Sequence, residues 1–247
     1  MKNSKKILLA VILVIIIILA VYLNRAYAYI YHKIGEDCLP PQNSERTYEI
    51  GTSSASTIFT YTALGDSLTA GVGTDNIRQS FPYLIAQNLT AKYGQVKLVD
   101  LGVPGAKSKN VLFDQLSVAL ATNSNYVTIL VGINDIHGLV PVNAFKKNIL
   151  EIINELKSKT QAEVVLVNLP YIGSPKLFFF PYNFYFGFRT WQYNRVIKEI
   201  CAGNQIKCVD LYSPNQKFIK NDNFYASDNF HPSADGYLLW SKIIYAD

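Results

Sequence analysis

The chain has 247 residues and a mass of 27.7 kDa, enough for one domain with an apolar core and a short appendage. Hydrophobic residues make up 49% and charged residues 17%. That balance, with a mean hydropathy of +0.11, excludes a disordered chain or a coiled coil and is apolar for a fully soluble enzyme. Of the formal charge of +5, Lys2, Lys5 and Lys6 supply three units; the rest of the chain sets 20 basic against 18 acidic residues. No cationic cluster able to neutralise phosphates remains, so nucleic acid is excluded as a partner.

Ile7 to Leu23 is an unbroken run of 17 apolar residues, about 25 Å long as a helix, at the short end of what crosses a bilayer. It is longer than the apolar region of a cleaved signal, although Ala26-Tyr27-Ala28 offers a small-residue cut site. Tyr22, Tyr27, Tyr29 and Tyr31 suit an interfacial aromatic belt. An anchor through residues 7–23 is the expectation, with secretion after cleavage as the alternative. Lys2, Lys5 and Lys6 would stay in the cytoplasm and the body outside it. Residues 1–33 are thus read as the anchor or signal segment, 34–57 as a polar Pro-, Ser- and Thr-bearing linker, and 58–247 as the domain.

From Ile58 onward, β-like runs alternate with helical spacings. Ile58–Leu64 is the first expected strand. A helix follows on Phe81, Leu84, Ile85, Leu89 and Tyr93, capped by Ser80 and stopped by Gly94. Val96–Val103 is the second strand, Val111–Leu120 a helix and Tyr126–Val131 the third strand. Phe145, Ile149, Ile152, Ile153 and Leu156 make the clearest amphipathic stripe. Val164–Leu169, a helix over Arg189–Ile200, Ile206–Leu211 and a helix over Ser233–Ile244 complete the series. Five apolar strands separated by helices predict an α/β fold, with a parallel sheet covered on both faces. Ligands of such sheets bind beyond the carboxyl ends of the strands. One segment breaks the pattern: Leu177–Phe188, dense in Phe and Tyr.

Of the three cysteines, Cys201 and Cys208 flank a short turn and suit either a disulfide or two separate thiols. Cys38 stands alone. No C-x-x-C pair occurs, and neither a metal nor a cofactor is expected.

The three histidines narrow the search for a base. His32 is juxtamembrane, His137 follows the third strand, and His231 lies in Asp228-Asn-Phe-His just before the last helix. A carboxylate three residues before His231 could fix its tautomer, though a surface loop with a chance pair reads the same. The first strand ends in Gly65-Asp-Ser67-Leu, where Gly65 permits a tight turn and Ser67 would be presented at the sheet edge or would cap a helix. G-x-S-x-G fails here because Thr69 holds the second glycine's place, and no phosphate-loop or dinucleotide motif follows any strand. The second strand ends in a Gly102-Val-Pro-Gly105 loop and the third in Gly132-Ile-Asn134-Asp, both ordinary turn compositions by themselves.

Taken in order, these four blocks resemble the SGNH (GDSL) hydrolases, from about Phe59 to the C-terminus. The resemblance implies a flavodoxin-like three-layer α/β/α fold with a five-stranded parallel sheet, and metal-free hydrolysis of esters or thioesters. It implies Ser67 as nucleophile, His231 as base and Asp228 as its orienting carboxylate, with Ser67, Gly105 and Asn134 forming the oxyanion hole. Pro104 departs from the family's small polar residue at that place.

The expected substrate is a small-molecule or lipid ester, a lysophospholipid or a thioester-like acyl compound. Phe180, Tyr182, Phe184 and His137 are candidate substrate-lining residues. The aromatic segment could instead dip into lipid or form a local core. Removal of O-acetyl groups from cell-envelope carbohydrate is the alternative activity, and a non-catalytic anchored binding module the alternative of another class.

Overall fold

The computed structural model describes residues 2–36, 41, 46–52, 58–171 and 173–246. Cys38 and much of the expected linker lie outside the described residues.

Helix α1 (Lys2–Glu36) runs unbroken for 35 residues. Its residues from Ile7 to Tyr22 are exposed, and Asn3–Gly35 is long and apolar enough to cross a membrane. Below Tyr22 the character changes. Leu23, Ala26, Tyr27, Ile30 and Ile34 are wholly or partly buried, and they fall at the spacing of one helix face. That face packs on the domain, with Ile30 inside its core.

Strand β1 (Thr47–Gly51) precedes β2 (Phe59–Gly65). Then come α2 (Phe81–Tyr93), β3 (Gln95–Asp100) and α3 (Ser108–Asn110). The last continues through a π-helical turn (Val111–Gln115) into α4 (Leu116–Ala121). Strand β4 (Tyr126–Leu130) leads to α5 (Ile133–His137), α6 (Val142–Lys159) and β5 (Glu163–Val167). The chain ends with α7 (Tyr182–Asn204), β6 (Lys207–Val209), α8 (Tyr212–Asn215) and α9 (Ala234–Ala246).

Among the described residues the sheet has six strands, in the order β1-β3-β2-β4-β5-β6. Five of them pair in parallel, as expected, with the strand order of a flavodoxin-like sheet. The sixth corrects the five-stranded expectation: β1 pairs antiparallel along β3, from Thr47 opposite Val99 to Gly51 opposite Gln95. An antiparallel edge strand on a parallel sheet is held by backbone bonds and needs little apolar pattern. Only Ile50 of β1 is buried, so a strand hid within a segment that reads as linker.

Strand β4 is buried at every position, as a central strand covered on both faces must be. Helix α2 packs with α9, and α6 packs with α4 and α7, giving the two covering layers. Ser80 caps α2, its hydroxyl accepting from the Tyr83 N–H, and Gly94 closes the helix at φ +76°. The stripe of α6 is buried as the spacing predicts. A disulfide joins Cys201 in α7 to Cys208 in β6.

The largest departure is α7, which begins at Tyr182 rather than Arg189. Aromatic residues and Gly187 are weak helix formers. Phe186, Thr190, Tyr193 and Ile197 nevertheless fall on one buried face, and packing outweighs propensity.

Candidate active site

The carboxyl ends of β2 and β4, the reversal point of the parallel strand order, carry Ser67 and Asn134 on the segments that follow them. The turn after β2 is held from several sides. A Cβ on Gly65 would lie 2.1 Å from Thr69 Oγ1 and 2.3 Å from the Leu130 carbonyl oxygen, so only glycine fits. The Gln115 side chain pairs with the Gly65 backbone like a strand, accepting from its N–H at 3.0 Å and donating to its carbonyl at 2.8 Å. Asp66 accepts from the Leu68 N–H, which sets Ser67 at the start of the turn.

His231 arrives on the loop before α9. Asp228 Oδ1 accepts from the backbone N–H groups of Phe230 and His231 at 2.9 and 3.0 Å, locking the loop around the carboxylate. Asp228 Oδ2 then meets His231 Nδ1 at 2.5 Å, and His231 Nε2 meets Ser67 Oγ at 2.9 Å. Asp228 is fully buried, His231 4% exposed and Ser67 9% exposed. Burial pushes the Asp228 carboxyl up. The bond and charge of His231 and the two N–H donors outweigh it and hold the group below its usual range. Asp228 is therefore an anion facing Nδ1, which leaves Nε2 to serve as acceptor toward Ser67.

Two glycines compete for the donor role after β3. The Gly102 N–H is taken by Asp100 Oδ1 at 2.9 Å, and a Cβ there would lie 2.4 Å from Ala70 N; Gly102 serves close packing. Gly105, at φ +80°, borders the cavity over Ser67. Asn134 borders it too, its amide donating to the Ala106 carbonyl at 3.2 Å and to Asp66 Oδ2 at 3.4 Å. Both bonds are long, so they orient the amide while leaving it able to turn toward a substrate oxygen. Asp66 is buried, and its carboxyl is pushed up to about 7 chiefly by desolvation.

Ser67, Gly105, Asn134 and His231 open onto one cavity of about 360 Å³, whose walls include Val72, Pro104 and Phe230. His137 borders it as well, from α5. Its ring lies 4.6 Å from that of Phe186 and 5.9 Å from that of Phe230. Both its nitrogens are buried without a hydrogen-bond partner, and burial lowers its pKa to about 4. It presents a neutral wall.

Phe180, Tyr182 and Phe184 do not line this cavity, contrary to expectation. Because the aromatic segment becomes helix, its side chains divide between two faces. Phe184 and Phe188 point out with Trp191, Phe180 is exposed at 71%, and Phe186 points in. Tyr182 instead donates its hydroxyl to the Leu23 carbonyl of α1. Sequence reasoning missed Tyr31, Ile34 and Gly35, which complete the cavity wall from α1. The burial stripe running from Leu23 to Ile34 was the signal available, masked by the apolar run before it.

Fold and family together make this an ester-bond hydrolase on a three-layer α/β/α scaffold. The chain belongs to the GDSL-like lipase/acylhydrolase family, whose model matches residues 63–239. A lipase/acylhydrolase structure from Enterococcus faecalis is similar over 76% of this chain and 94% of that one, at 25% identity and a TM-score of 0.64. The structure of TesA matches with 19% identity, 76% and 96% coverage and a TM-score of 0.62. An acetylxylan esterase from Geobacillus stearothermophilus matches with 19% identity, 75% and 91% coverage and a TM-score of 0.60. No curated protein matched the sequence.

Proposed function

We propose that this protein is a membrane-anchored serine esterase that cleaves acyl esters of lipid character, with its domain on the extracytoplasmic side. The observation that carries this reading is the Ser67–His231–Asp228 hydrogen-bonded chain opening onto an apolar cavity. Ser67 Oγ attacks the acyl carbonyl carbon while His231 Nε2 takes its proton. The backbone N–H groups of Ser67 and Gly105 and the Asn134 amide hold the oxyanion, where one such donor is worth about 3 kcal/mol. Collapse expels the alcohol, which takes the proton from His231. Water then attacks the acyl-enzyme, its proton passing to His231 and on to Ser67 as the acid leaves.

Lipid character is supported by two features. Apart from its catalytic groups and the neutral His137, the cavity is bordered mainly by apolar and aromatic side chains. Outside it, Phe184, Phe188 and Trp191 form an exposed aromatic stripe on α7, whose first residue is bonded to the end of the apolar half of α1. Aromatic side chains favour the membrane–water interface.

The test is labelling of the membrane fraction with a fluorophosphonate probe, in wild type and Ser67→Ala, followed by acyl esters from C2 to C16. Labelling lost in Ser67→Ala, with turnover of medium or long chains, is the expected result. Activity on C2 alone would favour carbohydrate deacetylation, and wild type without labelling would favour a binding module.

A further inference from the structure

The cavity over Ser67 is not closed by the hydrolase domain alone. Tyr31, Ile34 and Gly35 belong to α1, and they border the same cavity as Ser67, Asn134 and His231. From this juxtaposition we propose that the lower half of α1 is the outer wall of the acyl pocket and that Tyr31 and Ile34 determine which acyl chains fit. The inference rests on the esterase reading above and adds to it the element that sets specificity.

The wall is fixed, not merely adjacent. Ile30 is fully buried and Ala26 is 8% exposed, while Tyr27 and Ile34 pack against the core. Leu23 is tied through its carbonyl to Tyr182. The Tyr31 ring stands edge-on to His137, with centroids 5.8 Å apart. Packed positions therefore recur along one face from Leu23 to Ile34, a registry that repeats each turn or so and orients the helix about its own axis. Rotation of α1 would unseat Ile30, so Tyr31 and Ile34 hold defined positions over the cavity.

The chemistry of the wall indicates what it receives. An aromatic ring and a β-branched aliphatic side chain offer contact area without a charge, and Val72, Pro104 and Phe230 face the same space. The acyl chain of an ester bound at Ser67 fits such a lining; the leaving alcohol can depart toward the open side. A cut after Ala28 would separate Leu23, Ala26 and Tyr27, which hold the helix down, from the three residues that line the pocket. The specificity of the enzyme accordingly belongs to the uncleaved chain.

The experiment uses the full-length protein in lipid nanodiscs and measures kcat/KM for p-nitrophenyl esters from acetyl to palmitoyl. Tyr31 is exposed and Ile34 lies at the margin of the core, and fluorophosphonate labelling of Ser67 reports whether the site still forms in each variant. Ile34→Trp should shift the optimum to shorter chains and lower kcat/KM for the wild-type optimum about tenfold, the scale on which an apolar pocket discriminates a methylene or two. Ile34→Ala and Tyr31→Ala should shift the optimum to longer chains. A profile that stays put, or that moves the same way in the Ala and Trp variants, overturns the proposal while labelling persists. A wild-type enzyme that takes no label overturns the esterase reading, and this inference with it.

Discussion

The hydroxyl of Tyr182, the first residue of α7, donates to the carbonyl of Leu23, the last residue of the apolar run of α1, at 2.5 Å. The two rings Tyr27 and Tyr182 lie 5.8 Å apart beside this bond. The apolar run of α1 and the domain are thus joined where that run ends. Tyr182→Phe removes one hydrogen bond, about 1 kcal/mol of net stabilisation, and should raise the open population of the α1 contact about fivefold. Limited trypsinolysis at Arg25, followed by mass spectrometry, reads that population; an unchanged cleavage rate would show that the bond does not hold the helix.

In the proposed mechanism Asp228 acts through the His231 Nδ1 it meets, so its loss should leave the fold and remove the chemistry. Asp228→Asn keeps an acceptor for the Phe230 and His231 N–H groups but discards the charge opposite Nδ1. The amide can also present its N–H to Nδ1 and favour the wrong tautomer. A fall in kcat on the order of 10⁴ is expected, the scale of the equivalent change in Ser-His-Asp enzymes. Steady-state kinetics with a short-chain ester measure it, and a loss under tenfold would contradict the orienting role.

Asp100 provides a pH-dependent test of stability. Desolvation pushes its carboxyl up to about 7, against the bond from the Gly102 N–H and the charge of Arg46, which lower it. A group with a raised acid pKa is protonated in the folded state and ionised in the unfolded state between about pH 4 and 7. Its contribution to stability therefore falls as pH rises through that window and is flat above it. Asp100→Asn can keep the oxygen that accepts from Gly102. It should stabilise the protein at pH 8 relative to pH 5, by on the order of a few kcal/mol. Thermal unfolding of wild type and variant at the two pH values gives the comparison, and a gain larger at pH 5 would reverse the sign of the argument.

The aromatic stripe of α7 can be located directly. Of the two tryptophans, Trp240 is buried and Trp191 exposed. In a Trp191→Phe background, Phe184→Trp places an indole on the stripe near the end of the apolar run of α1. In vesicles of brominated phosphatidylcholine its fluorescence should drop by half or more relative to ordinary lipid, as expected for an indole at the headgroup level. Equal emission in both lipids would place the stripe in water.

Sequence legibility followed the kind of interaction that holds each part. Burial on both faces made the parallel strands readable as continuous apolar runs, and burial of one face made α6 readable as a period on Phe145, Ile149, Ile152, Ile153 and Leu156. Ser67, Asn134, Asp228 and His231 were readable as candidates because their motifs lie in short blocks after strands or before the last helix. Strand β1 escaped because it is held mainly by backbone pairing to β3 and buries only Ile50, which leaves no apolar pattern to read. The start of α7 escaped because Tyr182–Phe188 adopts helix for the sake of Phe186, a tertiary reason. The pocket wall at Tyr31 and Ile34 escaped because the apolar character of α1 suited a membrane just as well, and only the contact separates the two uses.

The π-helical turn Val111–Gln115 ends on the residue whose amide clasps Gly65, 50 positions earlier in the chain. A π turn carries one residue more than the α-helical pitch requires. That extra residue sets the phase at which Gln115 leaves its helix. Removing one residue from the turn would rotate Gln115 by about 100° and strip Gly65 of both side-chain partners. The shape of the turn that carries Ser67 is thus counted out in a helix that does not border the cavity, and insertions or deletions there should be tolerated far less than the surface position of Phe113 suggests.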